Sequence, residues 1–226
     1  MSKSLKIIVA DDHPLFRGAL KRTILDLVSS PSRAIVVDEA DSVDAVYEVL
    51  EEDEECDLVL LDVHFPGGNG LSGLANLRGC FPLVPVAMIS GSYSSDAVML
   101  SEDLGASGFL SKSAPPEDIA NAVKTLLEGE QWFPDTETVP RDVVDREVGE
   151  VAEKVASLTP HQFRVFSLVC EGLLNKQIAY ELDISENTVK SHLANIFRKF
   201  NVRKRTNLMV LGNMLNLDED QAKAAE

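Results

Sequence analysis

The sequence predicts an α/β fold with a five-stranded, doubly wound parallel sheet, followed by a small all-α domain of four helices. Three observations carry this. Short runs of Val, Ile and Leu alternate with segments of helical periodicity up to about residue 128, the rhythm of a parallel sheet covered on both faces. Beyond residue 157 no strand pattern remains, and four helical segments follow one another. The charge changes with the pattern: residues 1–150 carry 11 Lys+Arg against 28 Asp+Glu, a balance of −17, whereas residues 151–226 carry 10 against 9, a balance of +1.

The first strand, Leu5-Lys6-Ile7-Ile8-Val9-Ala10, ends at Asp11-Asp12. Residues 13–29 place Phe16, Leu20, Ile24, Leu27 and Val28 at helical spacing; 34–38 are strand-like, and Val46, Val49 and Leu50 mark a helix over 43–52. Leu58 to Leu61 are all Leu or Val between a charge cluster and a Pro-Gly loop, so they read as a strand buried on both faces that stops at Asp62. A loop through Gly70 leads to a short helix near 71–79, and then Val84 to Ser90 form a buried strand ending in a hydroxyl. A helix at 95–104 stops at Gly105, a strand at 108–111 ends at Lys112, and Pro115-Pro116 opens a last helix reaching about 128.

The pattern fails from Gly129 to Pro140, which begins a linker over 130–156 between a domain at 1–129 and a second at 157–226. Val144, Val148, Val151 and Val155 predict an amphipathic helix over 141–156, whose apolar stripe can meet either domain or a second subunit. Thr159 then caps a helix with Pro160 at its first position. A second helix covers Asn175 to Leu182, and Asp183-Ile184-Ser185 turns into a third, capped by Ser185, that runs to Phe200. A fourth covers about 204–215, and 218–226 reads as a polar tail.

Composition removes several classes. The 226 residues suffice for two cores, 45% are hydrophobic, and no apolar run approaches the length that crosses a bilayer. Met-Ser-Lys-Ser-Leu-Lys lacks the apolar segment of a secretion signal, which predicts a cytoplasmic protein without a membrane partner. Cys56, Cys80 and Cys170 are odd in number and widely spaced, so they read as buried thiols rather than a disulfide frame or zinc site. Within 160–210, 8 basic residues face 4 acidic ones, a local +4 that suits phosphates.

The strand ends collect Asp11, Asp12, Asp62, Ser90 and Lys112 at the carboxyl edge of the sheet, where open parallel sheets bind ligands. Crowded carboxylates repel unless a divalent cation neutralises them, and an all-oxygen set suits Mg²⁺. A carboxylate beside Mg²⁺ can act as nucleophile on a phosphoryl group, with Lys112 and Ser90 serving its equatorial oxygens. Each residue alone is ordinary, an Asp turn former, a loop Ser, a solvated Lys. Their order, each after its own strand, makes the set specific.

Residues 5–129 resemble the receiver domain of two-component response regulators, which has a flavodoxin-like fold. The matching stretches are Val9-Ala10-Asp11-Asp12-His13, Leu61-Asp62-Val63-His64-Phe65-Pro66-Gly67-Gly68-Asn69-Gly70, Ser90-Gly91 and Gly105-Ala106-Ser107-Gly108-Phe109-Leu110-Ser111-Lys112. The resemblance implies that Asp62 takes a phosphoryl group from a sensor histidine kinase, that Asp11, Asp12, Asp62 and the His64 backbone carbonyl hold Mg²⁺, and that Ser90 and Phe109 form a switch pair. Phe65 stands where Met or Leu is usual. A phosphatase of the haloacid dehalogenase type would need a second Asp two residues after the nucleophile, and this chain has Val63-His64. The chain therefore reads as a regulator that phosphorylates and slowly dephosphorylates itself, not a dedicated enzyme.

On the third helix of the second domain, Val189, Leu193, Ile196, Phe197 and Phe200 share a core face, opposite Asn187, Ser191, Ala194, Asn195 and Arg198, with Lys190 and Lys199 on the flanks. Small and amide side chains bordered by lysines suit a major groove, and the preceding helix and three-residue turn complete a helix-turn-helix. Leu158-Thr159-Pro160, Glu171 to Ala179, Ile184 to His192 and Val202-Arg203-Lys204-Arg205-Thr206 resemble the LuxR-type DNA-binding domain, so that the whole chain is similar to NarL/FixJ-type response regulators. The resemblance implies that Lys190, Ser191, Ala194 and Asn195 face bases, that Asn175, Lys176, Thr188 and Lys199 approach the backbone, and that the partners are promoter DNA, RNA polymerase and a second copy of the active chain. It also implies pairing through the fourth helix, where Leu208, Leu211, Met214 and Leu215 are expected to expose apolar surface. The family usually follows Leu-Thr-Pro with Arg and an acidic residue; His161 and Gln162 stand there, so a bracing ion pair is expected to be missing, with Phe163, Phe166 and Phe197 compensating. The competing reading is a regulator controlled by a bound protein or ligand, its acidic site vestigial.

Overall fold

The computed structural model describes residues 4–30, 34–52, 55–66, 71–91, 95–134 and 146–215. The loop at 67–70, Val144 of the linker stripe and the tail at 218–226 lie outside the described residues. The first unit runs β1 (Leu5–Ala10), α1 (Pro14–Leu27), β2 (Ile35–Ala40), α2 (Val43–Glu52), β3 (Leu58–Asp62), α3 (Leu71–Cys80), β4 (Val86–Ser90), α4 (Ser95–Asp103), β5 (Gly108–Ser111) and α5 (Pro116–Leu127). All strand pairs are parallel, in the order β2-β1-β3-β4-β5. Every residue of β3 and β4 is buried, because helices cover both sheet faces and central strands have no solvated side. Strand β2 is longer than its own pattern suggests: Asp38 and Glu39 break the apolar run, yet pairing with β1 continues through Ala10↔Ala40.

The outer edge of β5 is not bare. Phe109 donates its N–H to the Trp132 carbonyl at 2.8 Å, and Trp132 donates to Ser107 at 3.2 Å, so the start of the linker adds a bridge parallel to the strand. Gly108 permits this approach, since a Cβ there would lie 2.6 Å from the Trp132 oxygen. Sequence periodicity carries no trace of a one-residue bridge.

The second unit comprises α7 (Pro160–Cys170), α8 (Asn175–Glu181), α9 (Glu186–Phe200) and α10 (Arg205–Asn213). Thr159 and Gln162 form a reciprocal capping box on α7, Ser185 caps α9, and Asn201 ends α9 in the left-handed region at φ 55°. Phe163, Phe166 and Phe200 stack in its core, with centroid spacings of 6.2 and 5.1 Å. In place of the family's ion pair, Lys199 Nζ donates to Gln162 Oε1 at 2.8 Å and to the Ser157 carbonyl.

Helix α6 (Arg146–Ala156) joins the units by packing on α3 of the first domain, with Val151 and Val155 buried in an apolar cluster that runs into the second. The stripe thus meets both domains. Buried Asn76 on α3 donates from Nδ2 to the carbonyls of Val155 at 3.0 Å and Leu158 at 3.1 Å, and accepts the Tyr47 hydroxyl at Oδ1. Helix ends leave carbonyls without partners, and here the first domain supplies the donor for the end of α6. Arg164 of α7 pairs with Asp44 of α2 and lies 5.7 Å from the Tyr47 ring centre. The expectation of spare apolar surface on α10 is corrected: Leu208 and Leu215 are fully buried, Leu211 and Met214 are half-buried, and Val210 is the exposed one. Leu215 is covered because its carbonyl accepts the Leu71 N–H at 2.9 Å, which docks the end of α10 on the first domain.

Candidate functional site

Parallel register brings the chemical residues to one edge. Ala10 pairs with Leu61, so Asp11 stands level with Asp62; Asp62 pairs with Ile89, one residue before Ser90; Ser90 pairs with Ser111, one before Lys112. Asp11, Asp62, Ser90 and Phe109 are all buried, and Lys112 Nζ lies 2.6 Å from Asp11 Oδ2 and 2.8 Å from Asp62 Oδ2. Burial pushes the Asp62 carboxyl above the usual carboxylate range, Asp11 adding to the shift and Lys112 opposing it. Burial disfavours the Lys112 charge, but its bonds to Asp11 and Asp62 outweigh this and raise its pKa.

Asp62 Oδ1 is buried without a hydrogen-bond partner among the described residues. An orphaned carboxylate oxygen is costly unless something else uses it. Ligand atoms of Asp11, Asp12, His13 and Asp62 lie within 4.8 Å of one another, a set compatible with a divalent cation. Asp12 is exposed, and His13 Nδ1 lies 2.7 Å from its Oδ1. His64 stands half-buried in the turn after β3.

Sequence reasoning missed three neighbours here. His13 donates its backbone N–H to Asp11 Oδ1 at 2.8 Å, Arg17 Nη1 donates to the Asp11 carbonyl at 2.6 Å, and the Phe16 ring lies beside Lys112. Only His13 had a signal, its place directly after Asp12.

On α9, Lys190, Ser191 and Ala194 are exposed and Asn195 is half-exposed, along one face. Lys190 pairs with Glu186 at 2.9 Å, the Ser191 hydroxyl donates to the Asn187 carbonyl, and Asn195 Oδ1 accepts from Arg198 at 2.8 Å. Thr188 donates its N–H to Ser185 Oγ, Lys176 is exposed, and Asn175 Oδ1 accepts from Arg205 at 3.3 Å. Lys199 departs from this group, its ammonium turned back to Ser157 and Gln162.

Residues 7–124 match the family described as "Response regulator receiver domain", and residues 156–211 match "Bacterial regulatory proteins, luxR family". The chain is 36% identical over 205 residues to the "Glycerol metabolism activator" of Pseudomonas putida, covering 88% of this chain and 91% of that protein. It is 33% identical over 207 residues to the nitrate/nitrite response regulator NarP of Escherichia coli (strain K12), covering 91% and 93%. A solved structure of two RcsB dimers bound to two parallel DNAs superposes with a TM-score of 0.53 at 21% identity, over 95% of this chain and 100% of that one, a likeness of fold.

Proposed function

The chain belongs to the response regulators that join a receiver to a LuxR-type DNA-binding domain and regulate transcription by binding DNA, and from that premise we propose that phosphoryl transfer from a sensor histidine kinase to Asp62 controls its hold on promoter DNA. The observation that carries this is the buried Asp62 carboxylate at the carboxyl edge of the sheet, one oxygen on Lys112 and level with Asp11. Asp11, Asp12, Asp62 and the His64 carbonyl would hold Mg²⁺, which supplies charge neutralisation for the phosphoryl oxygens. A carboxylate oxygen of Asp62 forms the new bond to phosphorus as the phosphorus–nitrogen bond of the kinase phosphohistidine breaks and the imidazole leaves. Lys112, already against both buried carboxylates, takes an equatorial oxygen. Ser90, drawn to another, leaves space that Phe109 fills, which changes the face formed by α4 and β5.

We take 1–129 as the receiver, 130–156 as the linker and 157–226 as the DNA-binding domain, in a cytoplasmic protein that is a homodimer when active, with RNA polymerase as a further partner. A local charge of +4 over 160–210, tethered to −17, gives one copy few phosphate contacts, and two copies double them. Intact-mass measurement of the full chain with Mg²⁺ and acetyl phosphate tests the core of the reading. One base-labile phosphoryl adduct, absent with chelator, is expected; a base-stable adduct, or none, overturns it. Lys176→Ala should weaken all DNA sequences alike and lower the salt dependence by about one unit of slope, whereas Asn195→Ala should relax preference at one position per half-site, costing on the order of 1–3 kcal/mol. Footprinting checks both, and an unchanged preference in Asn195→Ala removes that residue from the reading set.

A further inference from the structure

Lys112 has to hold its place while its partners change. When Asp62 is esterified, one of its two carboxylate contacts loses charge, and the ammonium must keep an N–H for a phosphoryl oxygen. On a flexible four-carbon stem, two hydrogen bonds with one about to weaken are a loose anchor. The Phe16 ring lies 5.0 Å, centroid to Nζ, from that ammonium, inside the range in which a ring face attracts a cation. At that distance the ring accepts no conventional hydrogen bond, so it restrains the charge without using a donor. The ring is itself held: Phe16 is half-buried against the cluster of Ile7, Leu20 and Ile119, and the next residue, Arg17, ties the first turn of α1 to the Asp11 carbonyl and to Glu39. Lys112 is only 16% exposed, so the contact is partly shielded from water.

We propose that Phe16 is a positioning residue for Lys112, its ring fixing the ammonium beside Asp11 and Asp62 through a cation–π contact; the role this gives it in phosphoryl transfer rests on the phosphoacceptor reading of Asp62. A leucine keeps most of the apolar packing and removes the ring face. The full chain is compared as wild type, Phe16→Leu, Phe16→Met and Phe16→Tyr. Proton NMR of the Lys112 side chain reads the contact without any phosphoryl chemistry, through the ring-current shift of its ε-methylene and ammonium protons. Phosphorylation by acetyl phosphate at saturating Mg²⁺ reads the consequence.

Wild type and Phe16→Tyr should share the shifted signal and the same rate. Phe16→Leu and Phe16→Met should lose the shift and slow about three- to tenfold, the range that a partly desolvated cation–π contact supports. The methionine variant carries the same expectation should the leucine variant fail to fold. An unshifted Lys112 in wild type, an unchanged rate in the non-aromatic variants, or equal slowing in Phe16→Tyr would each overturn the proposal. A wild-type chain that shows the shift but accepts no phosphoryl group from acetyl phosphate would instead overturn the reading of Asp62 and leave the contact standing.

Discussion

Asp62→Asn is expected to abolish phosphoryl acceptance and, at the same time, to raise the melting temperature. The first effect follows from chemistry, since a neutral amide oxygen is no nucleophile toward phosphorus. The second follows from the direction of the Asp62 shift. Burial, aided by Asp11, raises its folded pKa above the unfolded value despite Lys112, so the folded state disfavours the ionised form. Stability is therefore lost as pH rises from the unfolded pKa through the folded one. Asparagine keeps the shape and an acceptor for Lys112 while removing the buried charge, a gain of about 0.5–2 kcal/mol by analogy with other relieved active sites. Scanning calorimetry at pH 7 and in acid reads the sign: the advantage of Asp62→Asn should shrink as pH falls. A phosphoryl adduct surviving in the variant would sink the first expectation, and a lowered melting temperature at neutral pH would sink the second. Mg²⁺ should stabilise wild type and have much less effect on the variant.

The sheet was legible because its strands are buried on both faces and announce themselves as apolar runs ending in polar residues. The five edge residues were legible for the same reason, as they close or follow four such runs, Asp11 and Asp12 sharing the first. What escaped was whatever depends on a partner rather than on a local pattern. Asp38 and Glu39 are strand only because β1 continues beside them, and Trp132 pairs with β5 at one residue. Phe16 read as one of five apolar positions on a helix, and nothing in its spacing separates a core ring from one beside an ammonium. Leu215 was misjudged because the end of α10 docks on another domain through Leu71. Lys199 sits on the flank that should face DNA, yet Gln162, which breaks the family's usual ion pair, gives its ammonium an acceptor elsewhere.

Asn76→Ala should part the two domains. It would leave the buried Tyr47 hydroxyl without its acceptor and take one hydrogen bond each from the carbonyls of Val155 and Leu158, which keep the Leu158 N–H and the Cys80 thiol. The orphaned hydroxyl costs about 1–3 kcal/mol, and water can reach it only if the interface opens. The remaining ties are the apolar packing of Val151 and Val155 on α3, the partly exposed ion pair of Arg164 with Asp44 and the backbone bond of Leu71 to Leu215, so a shift of about tenfold toward the open form is expected. Gly79→Ala should act in the same direction by a separate cause, because a Cβ there would lie 2.0 Å from the Ala156 carbonyl oxygen and α6 could not stay seated on α3. Cys80 reports the event. Its sulfur lies 3.5 Å from the Leu158 carbonyl, and burial holds its pKa up while the domains are docked. Cys56 and Cys170 are pushed up to about 11 and about 12 by burial inside their own domains, so they stay slow whether or not the interface opens. Alkylation at pH 8 should then quicken at Cys80 alone in both variants, with small-angle scattering showing a larger radius of gyration and circular dichroism an unchanged helix content. Helix content retained with Cys80 as protected as in wild type in both variants would mean that neither Asn76 nor the close approach at Gly79 holds the domains together.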